Sequence, residues 1–533
     1  MRSEIGTSPW WQHGVIYEIY IRSFQDTSGN GVGDLEGIAC RLAYLNDGTP
    51  DSLGVDAIWV TSFYPSPMVD FGYDISDYTN VDPLFGDLAT FDRLIKQAHA
   101  RNIRVIVDFV PNHTSDQHPW FIESRSSRHS PKRDWYIWAD PKPDGSPPNN
   151  WLSAFGGSAW AWDEATKQYY LHSAFEQQPD LNWRNPQVRE AMFDVMRFWL
   201  DRGVDGLRLD IVDCLVKDSQ LRDNPPAARP TGFFLGDYDR YQHIYDRNQP
   251  EVHEIIRHFR RLSEEYDDCI VIGEVCLFDL EEWVKYYGEE LDELHMPLNV
   301  RMFLTPWEAA AIRRSVDELE AALPRGAWPN YVLDNHDNPR LTTRLGAENA
   351  RLAAMLLLTL RGTPILYYGD EIGMHDVSIP PDRMQDPAGR DPERTPMQWD
   401  ASPYAGFSTV EPWLPVAEDY QTVNVAVQRD DPTSLLTLYR RLIWTRKESP
   451  ALHSGSYQPL DGMPESCFAY MREAAGQRLL MVLNFSDEEQ SIPLAEVCKP
   501  GQVVLSTYLD RDGPIGPGAL RLRAREGCLI EMA

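Results

Sequence analysis

Gly206-Leu207-Arg208-Leu209-Asp210 is a short apolar run that ends in an acid. Side chains alternate along a strand, so Arg208 and Asp210 share one face while Leu207 and Leu209 share the other. A carboxylate beside a guanidinium is expected to keep a low pKa and stay ionised, which is the state a carboxylate nucleophile needs. The design recurs along the chain. Asp108 follows Ile103-Arg104-Val105-Ile106-Val107, and Glu274 follows Cys269-Ile270-Val271-Ile272-Gly273. Asp337 follows Tyr331-Val332-Leu333-Asp334-Asn335-His336.

Working outward, strand-like runs at 15–20, 55–60, 103–110, 206–212, 269–275, 331–333 and 363–368 alternate with amphipathic stretches at 88–101, 188–202, 252–265 and 347–360. Continuous apolar strands separated by helices predict a parallel sheet in an α/β fold. Seven or eight such units favour a closed (β/α)8 TIM barrel, whose active residues gather at the C-terminal ends of the strands. The acids sit there. Residues 114–180, rich in Trp, Pro, Ser, Gly and Asn with a loop-like 141–150, break the rhythm and read as an inserted domain after the third strand. The barrel is then 1–113 together with 181–449. From 450 to 533 helices give way to short strand-like runs at 467–471, 479–484, 503–508 and 528–531. Asp512-Gly513-Pro514 and Gly516-Pro517-Gly518 read as turns between them, which predicts a C-terminal antiparallel β-sandwich domain.

A chain of 533 residues is too long for one core. Its net charge of −31 repels phosphate backbones and argues against nucleic acid as a partner. The seven cysteines, at 40, 214, 269, 276, 467, 498 and 528, are scattered and include no C-x-x-C pair, which suits a reducing cytoplasm. Met1-Arg2-Ser3-Glu4-Ile5 has no apolar signal core, and the apolar run 353–360 is too short to span a bilayer, so no membrane association is expected. Cys214 and Cys276 read as fillers, and Ser263-Glu264-Glu265-Tyr266-Asp267-Asp268 as a solvated helix end.

Four motifs in order, Asp108-Phe109-Val110-Pro111-Asn112-His113, Gly206-Leu207-Arg208-Leu209-Asp210, Gly273-Glu274-Val275 and Asn335-His336-Asp337, resemble those of the α-amylase superfamily, glycoside hydrolase family 13, in its α-glucosidase and oligo-1,6-glucosidase branch. The resemblance implies a retaining, two-step reaction in which Asp210 is the nucleophile, Glu274 the general acid and base, and Asp337 the acid that holds the sugar hydroxyls. It also implies a glucose pocket. Asp70 and Tyr73 match a hydroxyl-binding acid and a stacking tyrosine, His113 and His336 two hydrogen-bonding histidines, and Arg390 an arginine that pairs with Asp70. Arg208 serves Asp210, and Gln178 lines the cleft. The family often has a phenylalanine where Ala174 stands, and Phe175 is expected to replace it. Asp108 and Asn112 are expected to support the barrel top.

The resemblance extends to a loop, Asp26, Ser28, Asn30, Asp34 and the carbonyl of Val32, that holds a structural Ca²⁺ in the branch. No organic cofactor is implied. The residue after the nucleophile correlates with linkage in the branch, valine with α-1,6 and threonine or alanine with α-1,4. Ile211, apolar and β-branched, leans toward α-1,6. The implied activity is exo-acting release of glucose from short α-glucosides of the maltose or isomaltose type, with transfer to other acceptors as a companion. Trehalose synthases share Ser115-Asp116-Gln117-His118-Pro119-Trp120-Phe121, but they place a glutamate where Asn338 follows Asp337. The Arg-Leu-Asp-Arg stretch of sucrose isomerases is absent. A catalytically silent sugar-binding relative is the alternative of another class, and the oligomeric state is open.

Overall fold

The computed structural model describes residues 9–228, 236–493, 501–515 and 519–532. Eight strands run in chain order: β1 (Ile16–Ile19), β2 (Ala57–Val60), β3 (Arg104–Phe109), β4 (Gly206–Leu209), β5 (Ile270–Gly273), β6 (Met296–Pro297), β7 (Asn330–Val332) and β8 (Thr363–Tyr367). Each pairs in parallel with the next, and β8 pairs with β1; among the described residues only the β6–β7 seam lacks a ladder. There the Asn330 side chain closes the ring. Its Oδ1 accepts from the Asn299 backbone N–H at 3.0 Å and its Nδ2 donates to the Pro297 carbonyl at 2.5 Å, while Asn299 Nδ2 donates to the Asn330 carbonyl at 3.3 Å.

Inward and outward residues alternate along the strands. Ile16, Ala57, Trp59, Ile106, Ile270, Ile272, Met296, Val332 and Ile365 form one buried cluster. Their neighbours Tyr17, Ile58, Val105, Leu207 and Val271 belong to the main core shared with the helices. Burial on both faces is what a closed parallel barrel requires. Gly206 belongs to the inner face, where a Cβ would lie 2.6 Å from Ile270 Cγ1. Arg208, two residues on, points the same way.

The flanking helices are started by the residues that suit their ends. Asp34 caps Leu35–Leu45 and Asp87 caps Leu88–His99; Asn185 caps Pro186–Leu200, with proline at the first position, and Ser434 caps Leu435–Glu448. Between β3 and β4 the chain builds a three-stranded antiparallel sheet from Trp138–Ala139, Trp160–Asp163 and Gln168–Leu171. At the C-terminal end, Ser456–Pro459, Cys467–Ala474, Gln477–Asn484, Gly527–Met532, Gly501–Ser506 and Gly513–Pro514 form an antiparallel sheet in that spatial order. Gln490–Ile492 pairs with Leu520–Leu522, and Ile492, Leu520 and Leu522 share a buried cluster with Leu480, Val482 and Ile530 of the larger sheet. On the barrel side Thr359 and Tyr470 share a 2.6 Å hydrogen bond, and Gly527 lies against Met355 and Leu352 of helix Ala350–Thr359.

The barrel and the antiparallel C-terminal sheet follow the sequence reading, with particular departures. The reading omitted β6, which has two residues, one of them proline. Gly513–Pro514, read as a turn, pairs with Gln502 and Val503. The last helix, Pro450–Ser454, runs past the expected end of the helical part. Met1 to Ile5, Cys498 and the turn Gly516-Pro517-Gly518 lie outside the described residues. The six described cysteines are free. Among the described residues no helix is long and apolar enough to cross a membrane.

Candidate active site

The chain leaves β4 at Asp210 and turns sharply at Ile211, a β-branched residue at φ 32°, ψ 51°. That left-handed conformation is a strained one for isoleucine. It aims the Ile211 N–H at Glu274 Oε2, 3.2 Å away. Asp210 is itself fixed by its N–H on the Phe109 carbonyl at 2.9 Å, and Glu274 by its N–H on the Leu209 carbonyl at 2.8 Å. Arg208, fully buried, bridges the two acids. Nη1 lies 2.7 Å from Asp210 Oδ1 and Nη2 lies 2.7 Å from Glu274 Oε2. Nη1 also reaches Asp108 Oδ1 at 3.4 Å.

Arg208 is thus the expected partner of Asp210, and it is shared with two further acids. Burial pushes the Asp210 carboxyl well above the usual range; Arg208 opposes that, but Glu274, Asp108 and Asp337 reinforce it. One guanidinium stands against three carboxyls. Asp108 is raised by burial too, and so is Glu18, whose Oε1 lies 2.5 Å from His336 Nδ1.

Asp337 behaves oppositely. Burial alone would raise it, but His336, Arg390, Arg394 and Arg208 together hold it well below the carboxylate range. Burial depresses His336 to about 3, so at neutral pH the arginines carry this effect. Arg390 Nη1 and Arg394 Nη2 sit 2.9 and 2.7 Å from Asp337 Oδ1. Arg390 also meets Asp70 at 2.5 Å and Asp386 at 2.8 Å, and Gln178 Nε2 donates to Asp70 Oδ2 at 2.9 Å. Tyr73 Oη is 2.5 Å from Asp108 Oδ2 and 2.8 Å from His336 Nε2.

Asp70, Tyr73, His113, Asp210, Ile211, Glu274, Asp337 and Arg390 line one pocket. Arg208, Gln178 and His336 stand behind that lining and hold it. Gln178 Nε2 lies 3.1 Å from His113 Nε2, so it tethers the histidine and Asp70 instead of facing the cleft. Phe175 is likewise a backing residue. Phe155, which the sequence reading missed, lines the pocket, and Phe175 stacks on it at 4.2 Å between ring centroids. Arg394 and Asp386 were also missed, although Arg394 lies in the same short stretch as Arg390. Tyr238 and Arg247 gave no signal in the sequence and line the pocket too. Cys214 and Cys276, expected as fillers, reach the wall, and burial lifts the Cys214 thiol to about 12. Asn112 supports His113, as expected, through a 3.2 Å contact to Nδ1 and a bond to Asp180 at 3.0 Å.

The loop bearing Asp26, Ser28, Asn30, Val32 and Asp34 contributes nothing to the pocket wall. A carboxylate has about four lone-pair sites. Asp26 accepts from Ser28 Oγ and the Gly29 N–H on Oδ1, and from the Gly31 N–H and Ser408 Oγ on Oδ2. Asp34 accepts from Thr27 Oγ1 and the Gly37 N–H on Oδ1, and from the Thr27 and Ser28 N–H groups on Oδ2. Asn30 Oδ1 accepts from the Val32 N–H at 2.8 Å. So arranged, the two carboxylates are filled by donors from the loop, the following helix and Ser408, an arrangement that does not fit a calcium ion.

A family model described as the alpha amylase catalytic domain matches residues 18–455. A "Probable alpha-glucosidase" of Rhizobium meliloti (strain 1021) is 44% identical over 506 residues, covering 90% of each chain. The oligo-1,6-glucosidase of Heyndrickxia coagulans is 38% identical, over 90% of this chain and 93% of the relative. The crystal structure of the alpha-glucosyl transfer enzyme XgtA superposes with a TM-score of 0.93 at 41% identity, over 99% of this chain and 100% of the other. With the four acid-bearing motifs gathered at the mouth of one barrel and a family model that spans the barrel, the chain belongs to the α-amylase family, family 13 of the glycoside hydrolases.

Proposed function

We propose that the protein is a retaining, exo-acting α-glucosidase that releases glucose from the non-reducing end of short α-glucosides, and that it passes glucose to sugar acceptors as well as to water. The observation that carries this reading is the bridge of Arg208 between Asp210 and Glu274, 2.7 Å to each, beside a pocket end crossed by the Asp70–Arg390 ion pair. Two carboxyls that face each other across one sugar are what double displacement requires.

In the first step Asp210 attacks the anomeric carbon and the bond to the leaving oxygen breaks, with the proton coming from Glu274. In the second, Glu274 takes a proton from water, or from an acceptor hydroxyl, as it attacks the ester. Glucose leaves with its configuration retained. Asp337, held ionised by Arg390 and Arg394, offers the sugar hydroxyls a fixed acceptor and the developing oxocarbenium ion a negative charge. The transferase relative supports the acceptor branch of the second step. We read the Asp26–Asp34 loop of this chain as a metal-free turn.

Product analysis with maltose and isomaltose, fed separately, tests the reading. Free glucose from either supports it, and the rate ratio fixes the linkage that Ile211 leans toward. Trehalose from maltose with little glucose would make the enzyme an isomerase, and no product from either sugar would mean a silent relative.

A further inference from the structure

The pocket lining also includes Ile211, Cys214, Cys276, Tyr238 and Arg247. Tyr238 and Arg247 come from the long connection between β4 and helix Val252–Ser263, which builds a frame around the tyrosine. His243 lies flat on the Tyr238 ring, with centroids 3.6 Å apart and planes 8° from parallel. Its Nε2 is 2.8 Å from the Tyr238 carbonyl oxygen and its Nδ1 is 2.6 Å from Asp246 Oδ2. Arg247 Nη1 lies 3.5 Å from Tyr238 Oη, and Arg247 Nε pairs with Asp213 at 2.9 Å. Asp213 belongs to the single turn Val212–Cys214 that follows the strained Ile211, and its carbonyl accepts the Asn248 N–H at 2.7 Å. The tyrosine is therefore tied both to its own segment and to the turn leaving the nucleophile.

An aromatic ring, an isoleucine and two thiols give the pocket an apolar stretch beside the Arg247 guanidinium. A pyranose carries apolar C–H faces that pack on such a ring. We infer that Tyr238 determines specificity by packing on the C–H face of the leaving sugar, or of the accepting sugar in transfer, and that His243 is a positioning residue that holds Tyr238 there. His243 is not part of the pocket wall, so it acts only through Tyr238. The inference rests on the glucosidase reading above.

The test compares isomaltose and maltose with α-glucosyl fluoride, which has no leaving sugar to pack. For Tyr238→Ala and His243→Ala the ratio of kcat/KM on disaccharide to kcat/KM on the fluoride falls about tenfold, mainly through KM, and the share of transfer product falls with it. Tyr238→Phe, which keeps the ring, restores both. Turnover of the fluoride shows in each variant that the nucleophile is still in place. Equal losses on fluoride and disaccharide, or an unchanged ratio in Tyr238→Ala, would overturn the inference. A wild-type enzyme that turns over the fluoride but neither disaccharide would overturn it too, whereas one inert to all three would overturn the glucosidase reading itself.

Discussion

At the scale of single residues, Asp210 and Glu274 take hold of opposite nitrogens of one guanidinium, and the role of Glu274 can be tested directly. Glu274→Gln removes the proton donor and lowers kcat/KM on maltose by about 10²–10⁴-fold, whereas α-glucosyl fluoride, whose leaving group needs no proton, loses far less. A parallel loss on both substrates would mean that Glu274 is not the acid. Arg390→Met strips the shared partner from Asp70, Asp337 and Asp386. Breaking a buried ion pair costs about 3–5 kcal/mol, so this variant is expected to lower the thermal midpoint as well as activity. An unchanged midpoint would show that the pairs contribute little.

At the scale of elements, the short strands decide what could be read from the sequence. The runs ending in Asp108, Asp210 and Glu274 announce themselves because an apolar strand stops at a carboxylate. β6 does not, since two residues with a proline carry no periodicity and take their place from their neighbours. Its seam with β7 depends on Asn330. Asn330→Ala would orphan the Asn299 N–H and the Pro297 carbonyl, at about 1–3 kcal/mol for each buried group. Denaturant unfolding should show that loss, and a variant as stable as wild type would mean that the seam is held by packing alone. The pocket's loop residues, Phe155, Tyr238 and Arg247, were illegible for a different reason. Their placement is set by contacts such as the Phe155–Phe175 and Tyr238–His243 stacks, not by local pattern. In the Asp26–Asp34 loop, oxygens at alternate positions suggest a cation, while the same oxygens accept hydrogen bonds from within the protein, which favours the metal-free reading. Chelation with EDTA should leave the thermal midpoint where it is, and a rise on adding calcium would refute the metal-free reading.

At the scale of the whole molecule, buried acids shape the response to pH. Burial pushes Asp74 up to about 6 and Glu393 up to about 8. For a carboxyl raised above its unfolded value near 4, the stabilising contribution is complete below that value and is lost as pH rises through the folded one. Asp337 has the opposite sign, but its window lies in strong acid. The thermal midpoint should therefore fall between pH 7 and pH 9, and Glu393→Gln should flatten that slope; a midpoint that rises over this interval would contradict the assignment. The Asp70–Arg390 pair has a consequence on the same scale. If it makes the pocket blind, an oligosaccharide cannot thread through it, so the shortened chain must withdraw completely and find the mouth again after each cut. Degradation then proceeds by independent encounters, and a digest of maltotetraose passes visibly through a changing population of trimer and dimer instead of collapsing straight to monomer.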